Sequence, residues 1–311
     1  MLNKALSLFT HSSPLIFYLK YLTSASFRIE SAFQDATTLP ITHQTRYVFF
    51  SDCHRGTGNS NDNFLRNANQ YLAALQYYYQ HDFHYIEVGD GDELWENPKI
   101  QPILEIHEHI FRQLRAFRDS GRLNLLYGNH DIIKRSSLFH ADPFSFSESL
   151  ILQSKAPAIH LRVVHGHQAD FFNSILWRTA RFLVRHIWRP LESFGISDPT
   201  SAAQNTKKKN RLEQKYISYA QKKNCYLLTG HTHRPTLCTE QSPYCNCGSC
   251  VHPTCITCIE LCGYQMHLVK WCIHAEKNGH FDTIYSKCPP VCPIYVKREI
   301  IHSETLQPLS E

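Results

Sequence analysis

The chain contains five short apolar runs, and a cluster of glycine, histidine, aspartate or asparagine follows each of them directly. Apolar runs of this length, bounded by turn-forming residues, are typical of buried strands. Open α/β sheets place their ligands where strands end, so we expect the five clusters to meet at one edge of a sheet. The runs are residues 46–51, 85–88, 123–127, 160–164 and 225–229.

The clusters carry side chains that are common metal ligands. In chain order they read Asp-x-His, Gly-Asp, Gly-Asn-His-Asp, His-Gly-His and Gly-His-x-His. Each pattern alone occurs by chance in turns and exposed pairs, whereas all five in this order, each after a strand, indicate a metal centre. Asp90 ends the second cluster, and the glycine before it lets the backbone approach closely. Its carboxylate therefore has two oxygens available to bridge two metal ions.

The segments between the first three runs have the character of helices. Residues 61–81 carry apolar side chains at helical spacing, and a second helix is expected over about 100–119. Strand, helix and strand then follow one another along the chain. This order predicts β-α-β units and an α/β fold.

Later segments are less regular. Residues 132–155 are interpreted as an irregular insertion, and helices are expected near 170–189 and 201–223. After about residue 236 the chain alternates turns with short strands, for example 254–261 and 265–271. We interpret these strands as a second sheet that closes against the first.

Composition constrains the cellular setting more than the activity. A net charge of +5 is mild, which favours anionic substrates weakly and does not argue for nucleic acid as a partner. Twelve cysteines scattered over 311 residues predict reduced thiols and a cytoplasmic protein. The apolar N-terminal stretch is interrupted by Lys4, His11 and Lys20, so we expect neither a signal peptide nor a membrane span.

The ordered motifs resemble the calcineurin-like metallophosphoesterase superfamily across about residues 46–250. The resemblance implies an α/β fold of the metallophosphatase type, which is a two-sheet β-sandwich flanked by helices, here with a helical lid insertion. It implies a metallophosphoesterase domain over 45–300, with the lid at about 170–223. An N-terminal helical extension over 1–44 and a tail over 301–311 complete this division of the chain.

The same resemblance implies two divalent metal ions with Asp90 as the bridge. Oxygen and imidazole ligands suit Mn²⁺, Fe or Zn²⁺, and they leave the choice among these metals open. In such a centre a hydroxide between the ions attacks the phosphorus atom while the ions neutralise the phosphate oxygens. One ion would be held by Asp52, His54, Asp90 and His233, and the other by Asp90, Asn129, His165 and His231.

Two residues beside the ligands are predicted to act in catalysis. His130 corresponds to the superfamily residue next to the reacting phosphate, where it would protonate the leaving oxygen or stabilise charge. Asp131 would orient His130 or a ligand, or else cap a helix or turn. His167 stands where superfamily members often have another residue, so both a ligand role and a structural role stay open for it.

Two departures from the phosphoprotein phosphatases of the superfamily bear on the substrate. Those enzymes have Asp-Arg-Gly shortly after the bridging aspartate, and this arginine grips the phosphate. Here Asp90 is followed by Gly-Asp-Glu-Leu-Trp. They also have Gly-Asn-His-Glu where this chain ends the motif in Asp131. The Gly-His-Thr-His-Arg-Pro motif resembles the UDP-diacylglucosamine pyrophosphohydrolases more closely, although those have arginine in place of His130 and aspartate in place of His167.

We therefore predict an enzyme that hydrolyses a phosphodiester or pyrophosphate bond in a small anionic substrate. One alternative is a phosphoprotein Ser/Thr phosphatase. The other is a catalytically silent scaffold on the same fold, which would have lost ligands that this sequence retains. We do not expect nucleic acid as a partner, and the oligomeric state is left open.

The segment 170–189 places Arg178, Arg181, Arg185 and Arg189 at intervals of three and four, and therefore on one helix face. Three interpretations remain open. The face is solvated, or it belongs to a lid with Arg178, Arg181 and Arg185 as substrate contacts, or it touches a membrane surface as a peripheral contact.

Four cysteines have the form of a zinc pair. Cys247 and Cys250 are followed by Cys255 and Cys258, but only four residues separate the two halves. Zinc ribbons and fingers have about 12–20 residues there. We interpret the thiols as small buried hydrophobes, with a structural zinc ion as the alternative.

Overall fold

The fold is known from a computed structural model that describes residues 14–136, 139, 144–188, 205–239, 241–275 and 294–309. Of the residues discussed above, Arg189 and the first part of the N-terminal extension lie outside these ranges. The same holds for residues 190–204 of the expected lid.

The described chain forms two mixed sheets with helices on their outer faces, so the predicted α/β class is confirmed. One sheet has seven strands and the other has five. In the order in which the strands lie side by side, the larger sheet contains β12 (Ile294–Thr305), β11 (Gln265–Ala275), β10 (Cys255–Cys262), β2 (Arg46–Phe50), β3 (His84–Val88), β4 (Leu123–Leu126) and β5 (Phe146–Ser147). The smaller contains β1 (Thr37–Pro40), β6 (Ser149–Lys155), β7 (Ala158–Val164), β8 (Tyr226–Thr229) and β9 (Tyr244–Asn246).

The helices connect these strands and cover the sheets. Short 3₁₀ turns at Leu65–Asn67, Ile132–Arg135 and His167–Ala169 lie beside them, and a π-helix follows α7 at Val184–Trp188. The described α-helices are α1 (Pro14–Thr23), α2 (Ala25–Ala32), α3 (Ala68–Gln80), α4 (Gln101–Ile106), α5 (Glu108–Asp119), α6 (Phe171–Ser174), α7 (Trp177–Leu183) and α8 (Thr206–Lys222).

Side chains alternate between the two faces of each central strand, and this alternation builds the core. In β2, Tyr47 and Phe49 point into a cluster that also contains Leu152 and Leu161 of the smaller sheet. Val48, on the opposite face, packs with side chains of α3 and α5. A third cluster joins α2 and α8 to the smaller sheet. The period of two in a strand thus supplies a buried layer on both sides of β2.

Three expectations about secondary structure are wrong. The segment 132–155 is not wholly irregular, because β6 lies within it with Leu150 and Leu152 buried. The helix expected over 100–119 is two helices that separate at the buried His107. The strands at 254–261 and 265–271 do not form a second sheet, since β10 pairs antiparallel with β2 and β11 pairs with β10, so that both extend the first; only the short β9 after residue 236 joins the other sheet among the described strands. Turn and strand patterns do not specify which sheet edge a strand joins.

The chain termini contribute strands to both sheets. The segment 1–44 supplies α1, α2 and β1 in its described part, and β1 pairs parallel with β6. β12 continues to Thr305, into the segment expected to be a tail, and Leu306 beyond it is buried. No helix within the described ranges is long and apolar enough to cross a lipid bilayer.

Candidate metal centre

The loops that follow β2, β3, β4, β7 and β8 meet at one end of the two sheets. β2, β3 and β4 are adjacent and parallel in the larger sheet, and β7 and β8 are adjacent and parallel in the smaller one. Backbone hydrogen bonds join the loops directly: the Asp52 N–H donates to Gly89 O over 3.1 Å, and the Gly230 N–H donates to His165 O over 3.0 Å. The five clusters found in the sequence therefore lie together.

Asp52, His54 and His233 form one group of potential ligands. Nε2 of His233 lies 3.0 Å from Oδ1 of Asp52, and Nε2 of His54 lies 3.7 Å from the same oxygen. The potential ligand atoms of all three side chains lie within 4.8 Å of one another. An ion of ordinary radius therefore fits among them.

Asp90, His165 and His231 form a second group, which is completely buried. Nε2 of His165 lies 3.1 Å from Oδ2 of Asp90. The same Asp90 oxygen lies 3.8 Å from Nε2 of His54, which belongs to the first group. The carboxylate of Asp90 thus lies between the two groups, in the position that the sequence assigned to a bridge.

Close packing around Asp90 depends on Gly128. A Cβ atom at Gly128 would lie 2.1 Å from Oδ1 of Asp90, a distance that real Cβ atoms do not show. The His130 N–H donates to this oxygen over 2.8 Å. Oδ1 is therefore held by the loop after β4, and Oδ2 faces the histidines.

Several predicted ligands have a buried polar atom without a hydrogen-bond partner among the described residues. These atoms are Asp52 Oδ1, His54 Nε2, Asn129 Oδ1, His165 Nε2 and His231 Nε2. Buried polar atoms are nearly always satisfied, so a set of orphans in one place calls for an explanation such as an ion. The contacts of His54 Nε2 and His165 Nε2 with Asp52 and Asp90 are close, but they lack hydrogen-bond geometry. Oxygen and imidazole donors that converge without partners fit divalent metal ions.

The opposite nitrogen of two histidines is fixed by a hydrogen bond, which aims the free nitrogen at the centre. Nδ1 of His165 lies 2.8 Å from the carbonyl oxygen of Val88. Nδ1 of His54 lies 2.9 Å from Oε2 of Glu93. Metal-bound histidines usually have such a partner on the second nitrogen. Both rings are thus oriented before any ion binds.

The backbone at the site is unusual. Asp52, His54, Asp90, His231 and His233 all have positive φ angles, between 49° and 67°. Only Asp82 and Asn224 share this property among the other described non-glycine residues, and both follow the ends of helices. Left-handed backbone is uncommon outside glycine and concentrates at functional sites. Five of the seven predicted ligands therefore occupy strained positions.

Burial and mutual charge shift the pKa values of these groups. Burial raises the pKa of the Asp90 carboxyl, but the charges of His165, His130 and His54 outweigh this effect and hold it below its ordinary value. Burial lowers the pKa of His165, yet the carboxylates of Asp90 and Asp52 raise it overall to about 9. The carboxylates and the histidines thus stabilise one another's charged forms.

Glu93 is a site residue that sequence reasoning missed. Its carboxylate contacts Nδ1 of both His54 and His130, at 2.9 Å and 2.7 Å. Burial raises the pKa of Glu93, but the two histidines lower it overall to about 2. The ring of Trp95 stacks on His130 with centroids 4.3 Å apart. The signal for Glu93 in the sequence is its position three residues after Asp90, in the same loop.

The structure places Asp131 away from the imidazole that it was expected to orient. Its carboxylate is completely buried, accepts the Gly128 N–H over 2.7 Å and the Gly91 N–H over 3.1 Å, and contacts Nζ of Lys134 over 2.6 Å. Glu93, not Asp131, contacts His130. The short side chain of Asp131 points back into its own turn, and its carboxylate holds the backbone of two loops in place.

His130 itself lies at the rim of the centre, with its side chain 23% exposed. It also falls within a third group of potential ligands, together with His54 and Asp90. His167 is buried and its ring centroid lies 5.6 Å from that of His165, but none of the three groups within the described ranges includes it. The geometry therefore admits His130 as a ligand as well as a catalyst.

The helix expected over 170–189 is divided into α6, α7 and the π-helix. Its described arginines have different surroundings. Arg185 donates from Nε to the carbonyl oxygen of Trp95 over 2.7 Å and from Nη2 to that of Leu94 over 3.1 Å. The guanidinium groups of Arg178 and Arg181 lie over the ring of Trp177, at 5.4 Å and 5.0 Å. Arg185 thus attaches this helix to the loop that carries Glu93.

The four cysteines that have the form of a zinc pair belong to no group of potential metal ligands in the described part of the chain. All ten described cysteines are free thiols, and no potential metal group within the described ranges contains one. Burial raises the pKa of Cys247, Cys250 and Cys258. These thiols therefore pack as neutral, small apolar groups.

Comparisons with known proteins add little to this geometry. No protein-family model and no curated protein matches the chain. Two solved structures of a cold-active protein tyrosine phosphatase are similar to it, one at 12% identity over 74% of this chain and 77% of the other, with a TM-score of 0.37. The second, a point mutant, has 14% identity over 74% and 78%, also with a TM-score of 0.37. At this TM-score the likeness assigns neither a fold nor an activity to this chain.

Proposed function

We propose that the chain is a two-metal-dependent phosphoesterase of the calcineurin-like metallophosphoesterase superfamily. One observation carries the proposal: side chains from five separate strand ends, that of Asp90 among them, come together with their free ligand atoms directed inward. Without bound ions this arrangement would destabilise the fold, because each buried polar atom that lacks a partner costs about 1–3 kcal/mol. A purely structural role therefore does not explain it. Bound cations would supply the partners that these atoms lack.

Two divalent ions would use the ligands that the geometry brings together. The first group with Asp90 would hold one ion, and the second group with Asn129 would hold the other. Once bound, such a pair would activate water and neutralise the phosphate oxygens of the substrate. The contribution of the chain is to fix the ligands in advance, through Glu93, the Val88 carbonyl and the strained backbone.

His130 is the residue that we assign to the leaving group. Its Nδ1 is held by Glu93, and Trp95 covers one face of its ring, so the imidazole keeps one orientation. Burial lowers the pKa of His130, but Glu93 and Asp90 raise it overall, which favours the protonated form. A protonated imidazole at the rim can donate its proton to a departing oxygen.

The substrate that we propose is a phosphodiester or a pyrophosphate. A monoester dianion is best held by a guanidinium with free N–H groups. Arg55, which follows the first ligand motif, is buried and binds Asp92 and Glu87 through Nε, Nη1 and Nη2, so its guanidinium is not accessible to a substrate. Arg178 and Arg181, on the helix that Arg185 attaches to the site loop, would instead hold a second anionic group. We propose that this helix is a lid.

Metal analysis followed by a substrate panel tests the proposal. The purified chain is loaded with Mn²⁺ and assayed on bis-p-nitrophenyl phosphate, p-nitrophenyl phosphate, a nucleoside diphosphate sugar and a phosphoserine peptide. We expect two ions per chain and turnover of the diester or the pyrophosphate. In Asp90→Asn we expect the bound ions and the turnover to be lost together. Two bound ions without turnover would indicate a silent scaffold, and preference for the peptide would indicate a protein phosphatase.

A further inference from the structure

A chain of five buried charges lies beneath the candidate metal centre. Nη1 of Arg55 donates to Oε2 of Glu87 over 2.7 Å, and Nε of Arg55 donates to Oδ1 of Asp92 over 2.7 Å. The other oxygen of Asp92 lies 2.7 Å from Nζ of Lys134, which in turn lies 2.6 Å from Oδ2 of Asp131. Negative and positive groups therefore alternate along the whole chain of contacts.

This ion chain connects three of the loops that carry ligands. Arg55 directly follows the ligand His54, and Asp92 lies two residues after Asp90. Asp131 lies two residues after Asn129, and Lys134 follows on the same turn. No two of these three loops are adjacent in sequence, so the side-chain contacts set their spacing along with the backbone hydrogen bonds.

Close packing leaves the turn after Asp90 little freedom to move. A Cβ atom at Gly91 would lie 1.9 Å from Oε1 of Glu87 and 2.6 Å from Nη2 of Arg55. The ion chain is thus in direct contact with the backbone that follows the bridging carboxylate. The backbone contributes as well, since the Arg55 N–H donates to Gly91 O over 3.0 Å.

Stability alone does not account for these charges. Arg55, Glu87 and Asp131 are at most 1% exposed, and Lys134 is 5% exposed. Burial of a charge is costly, and well-packed apolar side chains often stabilise a core as well as an ion pair does. What the ion chain adds is fixed geometry, because every link is made by short, directed contacts, two of them between Arg55 and Glu87.

We propose that Arg55 and Lys134 are positioning residues of the metal centre, which set the spacing between the loops of Asp52, Asp90 and Asn129 and thereby the separation of the two ions. The inference rests on the proposed function, since it presupposes two bound ions. It extends that function to residues that touch neither ion.

Titration with Mn²⁺ alone tests the inference on the metal-free, full-length chain. Free Mn²⁺ is counted by electron paramagnetic resonance, and the spectrum of the loaded protein reports magnetic coupling within the ion pair. We expect Arg55→Met and Lys134→Met to weaken at least one site by about 10–100-fold, as losses around ligands usually do, and to alter the coupled spectrum. Arg55→Lys keeps the positive charge but not the planar guanidinium that binds two carboxylates. Its Mn²⁺ affinity should therefore lie between those of Arg55→Met and the parent.

A second ion pair, between a half-buried arginine and a buried glutamate, supplies the control. Arg298 donates to the completely buried Glu260, whose other contact is Tyr78, and none of these three is a predicted ligand. We expect Arg298→Met, like the Arg55 variants, to lower the melting temperature, because each removes one partner of a buried carboxylate. It should leave both Mn²⁺ affinities and the coupled spectrum unchanged.

The outcomes separate the two proposals. A parent chain that binds fewer than two Mn²⁺ ions contradicts the proposed function and the inference with it. A parent with two ions, alongside folded Arg55→Lys and Lys134→Met variants that keep the parental affinities and spectrum, overturns the inference alone. Arg55→Lys decides the matter if Arg55→Met does not fold, because loss of one buried partner costs about 3–5 kcal/mol.

Discussion

Glu93 holds the imidazole of His130, with Nδ1 of His130 lying 2.7 Å from one carboxylate oxygen and 2.9 Å from the other. The same carboxylate contacts His54, a predicted metal ligand. One side chain therefore orients both a ligand and the residue that we assign to proton transfer. This contact connects ion binding to the leaving-group side of the reaction.

Glu93→Gln should lower kcat by about 10–100-fold, a typical effect of losing a partner of a metal ligand. The amide keeps the volume but cannot accept a hydrogen bond from two imidazoles through two equivalent oxygens. Steady-state kinetics on bis-p-nitrophenyl phosphate measure the change. Glu105→Gln, on the exposed face of α4, is the matched control and should leave kcat unchanged. If Glu93→Gln had the kcat of the parent, the proposed role of Glu93 in orienting His54 and His130 would be wrong.

His130→Ala should lower kcat by about 10²–10⁴-fold, the usual contribution of a positioned acid. Both ions should stay bound, because the two four-ligand sets do not include His130. Metal content by mass spectrometry and turnover are measured on the same preparation. If an ion is lost together with activity, His130 is a ligand, as its proximity to His54 and Asp90 permits.

Arg178→Glu combined with Arg181→Glu should raise KM for a nucleoside diphosphate sugar and spare bis-p-nitrophenyl phosphate. The reason is that these guanidinium groups lie on the proposed lid, where only an extended anion reaches them. Arg185→Glu should behave differently and reduce kcat for both substrates, since Arg185 attaches the helix to the backbone of Trp95. Equal effects of both variants on both substrates would argue against the lid.

Leu152→Ala should lower the free energy of unfolding by about 2–5 kcal/mol, because it opens a cavity in the cluster that joins the two sheets. Chemical denaturation with urea measures this loss. Gln153→Ala, the exposed neighbour on β6, should change stability by less than about 0.5 kcal/mol. Similar values for the two variants would mean that the sheets do not share this core.

The positions of the candidate ligands were accessible from sequence because each follows a strand that the apolar pattern reveals. Asp52, Asp90 and His165 lie at strand ends, and parallel pairing of β2 with β3 brings the first two together. The role of Glu93 was not accessible, since a single acidic residue in a loop has no pattern of its own. Its contacts arise only when the loop folds back onto His54 and His130.

The sheet assignment failed for a related reason. β6 contains a run of only three apolar residues, 150–152, and the polar residues on both sides of it favoured an irregular segment. β10 joins the free edge of β2, which a local pattern does not encode. The contact between Arg55 and Asp92 likewise joins residues 37 apart in sequence. Long-range pairing, rather than local propensity, determined these parts of the fold.

The measurement that bears most directly on the two-metal centre is anomalous X-ray scattering at the manganese edge from crystals of the Mn²⁺-loaded chain. We predict two peaks, about 3.5–4 Å apart, on either side of the Asp90 carboxylate. One should contact Asp52, His54 and His233, and the other Asn129, His165 and His231. A single peak, or none within reach of Asp90, would contradict the assignment.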